Sequence, residues 1–188
     1  MSAAPDLVAL VSSRLCHDLV SPLGAIGNGV ELMRMMQAAS PELDLIEQAS
    51  KSAQARVQLF RLAFGVAQDG QQVRVAELEQ ALDGIRVQGR VTTRCEVAGP
   101  LPRQQAKRLT LAVLCLDSAL PYGGDITVEV DRVSATSPRL HVFDALWEPL
   151  ARGEVPADLT AKSVQFGLLA LLAPVTLERT ETRLIIGL

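Results

Sequence analysis

Aromatic side chains are almost missing from this chain: one Trp, one Tyr and four Phe among 188 residues, 3% of the whole. Any core must therefore be built from Leu, Val, Ala and Ile. Histidine is scarcer still, with two residues, which excludes a His-rich metal centre. The three cysteines, at 16, 95 and 115, are odd in number and share no metal-ligand spacing, as expected of reduced thiols in a cytoplasmic protein. There is no basic excess either. A formal net charge of −3 argues against nucleic acid as the main partner. Long apolar runs are also lacking. The longest uncharged stretch, Ser163 to Leu177, has 15 residues and contains a Gly and a Pro. A membrane helix needs about 20 apolar residues, so no membrane partner is expected. Met1 to Asp6 carries no basic residue, so no secretory signal is expected. What is present, 48% hydrophobic and 21% charged residues, suits one or two folded domains rather than disorder.

The first 68 residues repeat their apolar positions at helical spacing. Ser40-Pro41-Glu42 punctuates them with a capping side chain, a first-turn proline and a carboxylate suited to the positive helix end. Two helices, 5–38 and 41–67, are predicted to form a hairpin. In the second, Leu43, Ile46, Ser50, Ala53, Val57, Phe60 and Phe64 recur with alternating steps of three and four, a heptad seam. Val8, Val11, Leu15, Leu19, Pro22, Ile26, Val30 and Met33 form a looser stripe on the first. The two stripes are expected to bury against each other and still leave Leu59, Leu62 and Val66, so the hairpin is predicted to pair with a second copy as a four-helix bundle.

After Gln68-Asp69-Gly70 the pattern becomes mixed. Helices are expected at 76–86, from Pro102 to Leu120 and at 157–173. Strands are expected at 91–97, 126–130, 139–143, 174–179 and 182–188, with a turn at Pro121–Gly124. The fold class is thus a helical hairpin, 1–68, followed by an α/β sandwich with a largely antiparallel sheet, 73–188.

His17, in Cys16-His17-Asp18-Leu19-Val20-Ser21-Pro22-Leu23, lies about 200° around the helix from the seam residues Leu15 and Leu19. It points to solvent among mostly small and polar neighbours: Ser13, Arg14, Val20, Ser21 and Gly24. An ordinary surface histidine fits that position as well as a nucleophile does. Pro22, one turn later, weakens the first reading, because a proline within a helix costs about 3 kcal/mol.

His-Asp-Leu-Val-Ser-Pro-Leu resembles the phosphoacceptor box of sensor histidine kinases. The longer string from Ser13 to Ile26, with Asn28-Gly29, is similar to the ChpT-type histidine phosphotransferases of alphaproteobacteria, and the likeness is densest at 12–33. In a kinase, an Asn-Ala pair for Mg-ATP would precede Gly123-Gly124-Asp125-Ile126, but Ser118 stands where that Asn belongs. Beyond Gly124 there are only Gly153, Gly167 and Gly187, too scattered to cradle a triphosphate. The resemblance therefore implies a degenerate, Bergerat-type ATPase-like domain with no cofactor bound by this chain and no autokinase activity.

It further implies a phosphorelay. A phosphoryl group would pass from the receiver-domain aspartate of a hybrid histidine kinase to His17, and on to response regulators. In the family this route runs from a membrane kinase to cell-cycle transcription regulators. The receiver would supply Mg²⁺. By analogy, Asp18 would orient the imidazole, Arg14 would hold phosphoryl charge, Ser21 would replace the kinase Thr or Asn, and Gly24 and Asn28 would extend the docking face. Two other readings stay open: a non-catalytic dimeric adaptor for response regulators, and an ATP-dependent kinase core. Outside the box, His141 is read as structural, Cys16 as a small buried thiol, and Trp147 either as a partner anchor or as core.

Overall fold

The computed structural model describes residues 7–36, 40–86, 89–172 and 174–188. The expected outermost turns of the first helix, residue 173 and the segment read for a signal lie outside them. Helix α1 (Leu7–Met36) runs without interruption through Pro22, and α2 (Pro41–Phe64) returns antiparallel to it. Ser40 caps α2: its Oγ accepts the Leu43 N–H at 3.2 Å, with Pro41 as the first helical residue. The helix stops at Phe64, three residues before the predicted end, because Gly65 turns extended while its N–H still bonds the Arg61 carbonyl.

A two-stranded ribbon, β1 (Gln72–Val73) with β3 (Leu101–Pro102), brackets α3 (Val75–Arg86) and β2 (Val91–Cys95). Helix α4 (Arg103–Ser118) follows Pro102 directly, as the fixed φ of proline favours. Then come β4 (Gly124–Val128), β5 (Arg132–Thr136), α5 (Asp144–Ala151), α6 (Val164–Leu172), β6 (Thr176–Arg179) and β7 (Arg183–Gly187). The sheet has the order β2-β4-β5-β7-β6, with β2 and β4 parallel and the other pairs antiparallel. At the tight entry to β4, Gly123 has φ +96°, and a Cβ there would lie 2.5 Å from the Arg90 carbonyl oxygen.

Ile126, Val128, Val133, Ala135, Leu184 and Ile186 alternate onto the buried sheet face, where α4 lies across them. Leu59, Leu62 and Ala63 of α2 belong to the same core. That corrects one inference from sequence: Leu59 and Leu62 are covered by α3 and α4 of their own chain, not left for a partner.

Three segments depart from expectation. Residues 139–143 form no strand; β5 lies earlier, and the His141 backbone N–H bonds the Ala119 carbonyl at 2.9 Å. His141 itself is exposed. Helix α5 replaces the expected loop after them. Residues 157–163 are not helical, because Thr160 and Ser163 tie a local turn in which the Ser163 hydroxyl accepts the Thr160 N–H at 2.9 Å. Trp147 is core, 4% exposed and edge-to-face on Phe166.

Candidate functional site

Helix α1 buries Ala9, Cys16 and Val30 on its own chain. At Gly27 the two helices are so close that a Cβ would come 2.7 Å from Gln54 Nε2. Gln54 also donates to the Leu23 carbonyl at 2.9 Å. Cys16 is thus the buried thiol that its position suggested, and burial pushes its pKa up. His17, the next residue, is turned away from this seam, and its side chain is 85% exposed.

His17 Nδ1 stands 3.3 Å from Asp18 Oδ1, and Asp18 Oδ2 accepts from Arg14 Nε at 2.8 Å. The hydrogen bond from His17, then the one from Arg14, hold the Asp18 carboxyl below the usual carboxylate range. An ionised carboxylate only accepts, so the proton of the neutral ring lies on Nδ1 and the lone pair on Nε2 faces outward. Pro22 has no N–H to give the Asp18 carbonyl, so the helix wall beside this pair is opened at the backbone as well.

The imidazole stands at the lip of a cleft of about 720 Å³ whose other walls come from the end of α2 and from the sheet-bearing unit. Ser13, Ser21, Arg61, Glu77 and Arg103 line it with His17. Its floor is a knot of buried polar contacts. Arg103 donates to the carbonyls of Leu62, at 2.8 Å, and Arg61, and Lys107 donates to the Gly65 carbonyl at 2.9 Å. The Ser13 hydroxyl accepts the Val66 N–H at 3.0 Å, which ties α1 to the same spot one turn before His17. A Cβ on Gly65 would meet the Arg61 carbonyl oxygen at 2.5 Å, so only glycine fits there. Two cations opening α4 oppose that helix's own dipole; the carbonyl end of α2 supplies the compensating negative potential.

Of the residues picked from sequence, His17, Asp18, Arg14 and Ser21 come together. Gly24 leaves open space beside them. Asn28 lines a separate groove with Glu31, Arg34 and Glu47. Arg61, Glu77, Arg103 and Lys107 were missed. The one signal for them was the basic pair at 103 and 107, within two turns of a helix start that favours acids.

At the end of α4, the Ser118 hydroxyl donates back to the Cys115 carbonyl at 2.5 Å, and Asp117 accepts from Arg90 at 2.9 Å. Gly167 serves close packing, since a Cβ there would stand 2.5 Å from the Leu159 side chain.

Residues 75–176 match the model of the histidine phosphotransferase C-terminal domain. This chain belongs to the histidine phosphotransferase family. Among the relatives of such phosphotransferases, protein phosphotransferase ChpT of Brucella abortus (strain 2308) is 36% identical over 139 residues, 73% of this chain. That match spans 66% of the relative's length, just under two-thirds. A solved structure of a bacterial phosphotransferase aligns with 99% of this chain and 97% of its own, at 28% identity and a TM-score of 0.65.

Proposed function

We propose that this protein carries a phosphoryl group between receiver-domain aspartates through His17. The observation that carries the reading is an exposed imidazole, at the lip of a two-walled cleft, whose Nδ1 is held by an ionised Asp18. In the inward step, Nε2 attacks the phosphorus of an aspartyl phosphate. The P–N bond forms as the P–O bond to the receiver breaks, and the receiver aspartate leaves as a carboxylate. The Nδ1 proton stays on the ring, facing Asp18, and the outward step reverses these bonds on a second receiver. Such transfer depends on positioning and on charge stabilisation. A Mg²⁺ would come from the receiver, where it would offset phosphoryl charge, and this chain acts as a phosphotransferase with no cofactor of its own. The donor is a hybrid kinase receiver and the acceptors are response regulators, in the cytoplasm. Among the described residues, no helix is long and apolar enough to cross a membrane.

The working unit is a homodimer, with the hairpin (1–68) closing a four-helix bundle and the second unit (73–188) walling the cleft. Supporting this, the stripe read on α1 lies on the surface of the single chain: Val8, Val11, Leu15, Leu19, Ile26 and Met33 are all exposed, as are Ile46 and Phe60 of the α2 seam. These steps of three, four and seven mark a coiled-coil face whose partner is a second copy of itself.

The test offers a labelled phosphoreceiver with ATP removed, beside a lane with labelled ATP alone. The expected result is acid-labile, base-stable label on the wild type from the receiver and none on His17→Gln. Label from ATP alone would make the chain a kinase core. Receiver binding without label from any donor would make it an adaptor.

A further inference from the structure

We propose that Arg61, held by Glu77, is the cation that meets the phosphoryl group on His17. This deepens the reading of His17 as the phosphoryl carrier and rests on it.

Two ties between the helices set their register. From the Gln54–Leu23 bond, six residues back along α1 reach His17 and six forward along α2 reach Phe60. The Ser13–Val66 bond, one turn before His17 on α1 and two residues past the end of α2, sets His17 beside the last turn of that helix. Antiparallel helices advance equally per residue, so the level of His17 falls at 60–62 of α2. Leu62 is turned into the core and Phe60 away from the cleft, whereas Arg61 lines it beside His17. The local charge agrees: burial is the larger influence and raises the Cys16 pKa, but the positive charge of Arg61 reaches that neighbour of His17 and opposes the rise.

The other cations nearby are placed less well. Arg103 is buried and gives its guanidinium to the carbonyls of residues 61 and 62. Arg14, chosen from sequence for this role, is bonded to Asp18 and does not line the cleft. Arg61 is bonded to Glu77 through Nη2 at 2.8 Å, with its side chain 43% exposed. A guanidinium has five N–H donors in a planar fork, so this one bond fixes its direction and leaves donors for phosphoryl oxygens. Glu77 also balances the charge of Arg61 while His17 is bare. During transfer Arg61 only donates hydrogen bonds; no proton or electron pair passes to it, and the bond exchange remains P–O for P–N.

The experiment compares wild type, Arg61→Gln and Arg61→Lys as full-length protein, with single-turnover transfer from a phosphoreceiver at saturating concentration. Receiver affinity and melting temperature are measured alongside. Arg61→Gln is expected to slow the saturated rate by about 10- to 100-fold, in line with loss of a transition-state donor, with receiver affinity little changed. Arg61→Lys, which keeps charge but not the fork, is expected about 3- to 10-fold below wild type. An unchanged saturated rate in Arg61→Gln, or a loss residing wholly in receiver affinity, overturns the assignment. Should Arg61→Gln not fold, an unchanged rate in Arg61→Lys overturns it. Failure of the wild type to take label would instead strike the reading of His17 itself.

Discussion

Helix α4 and helix α1 have similar apolar content and opposite fates. Along α4, Ala106, Leu109, Ala112, Val113 and Leu116 are fully buried between the sheet, α6 and α2. Along α1, Leu15 is 58% and Leu19 49% exposed within the single chain. One region is finished by its own chain and the other is not. The difference assigns separate jobs: α4 secures the wall of the cleft, while α1 offers one stripe outward and turns His17 about 200° away from it. Association through the stripe, as proposed, would leave the nucleophile accessible.

The strongest way to break that comparison is Leu15→Asp with Leu19→Asp. Burying two unpaired carboxylates in a helical seam is prohibitive, so sedimentation is expected to show a full shift from dimer to monomer. The C-terminal unit should keep its near-UV spectrum. A dimer that survives both changes would mean that the exposed stripe is not the interface. The converse change is Leu116→Ala. Truncating a fully buried leucine is expected to cost about 2–5 kcal/mol in denaturant unfolding while leaving dimerisation alone.

A smaller change sharpens the boundary between the two regions. Arg103→Met keeps the stem of the side chain but removes the donors to the Arg61 and Leu62 carbonyls. Leaving buried acceptors unpaired should cost about 1–3 kcal/mol. Burial already pushes the Arg103 pKa down, without removing its charge near neutral pH. Amide exchange is expected to quicken first in the last turn of α2 and around Gly65, and transfer to slow because the cleft wall is loosened. Exchange confined to α4 would mean that the knot does not join the two units.

How much of this was readable beforehand follows from how local each signal is. The hairpin was legible because Ser40, Pro41 and the spacing of α2 speak through neighbouring residues. His17, Asp18 and Ser21 were legible because they share one helix face. The segment Leu140-His141-Val142-Phe143 alternates like a strand, but β5 occupies that place beside β4, although Ser134 and Ala135 favour a strand weakly. Helix α5 was missed because it has eight residues and carries Pro149. The register joining Arg61 to His17, and Arg103 to the end of α2, links residues tens of positions apart, which no local pattern encodes. The α1 stripe was expected to bury itself against α2 within the hairpin; instead Cys16 and Val30 are buried on their own chain while Val8, Val11, Leu15, Leu19, Ile26 and Met33 stay exposed, because two helices can cover only a narrow seam of each other.

The smallest expected effect concerns Asp18. Its carboxyl is held below the usual range, first by His17 and then by Arg14. A depressed carboxylate adds stability that is present above its unfolded value, about 3.9 for Asp, and is lost as pH falls through the lower folded value. Because the Asp18 side chain lies at the surface, 49% exposed, that contribution is slight. Melting curves of wild type and Asp18→Asn should therefore keep one small offset from pH 5 to 8 and converge only in acid below about pH 4. Transfer follows the same ionisation but a different physics, since the carboxylate fixes which ring nitrogen carries the proton. Asp18→Asn is expected to slow transfer about tenfold or more at about pH 8, far above the range in which a carboxylate titrates. An unchanged rate at that pH would mean that Asp18 is not the group that orients His17.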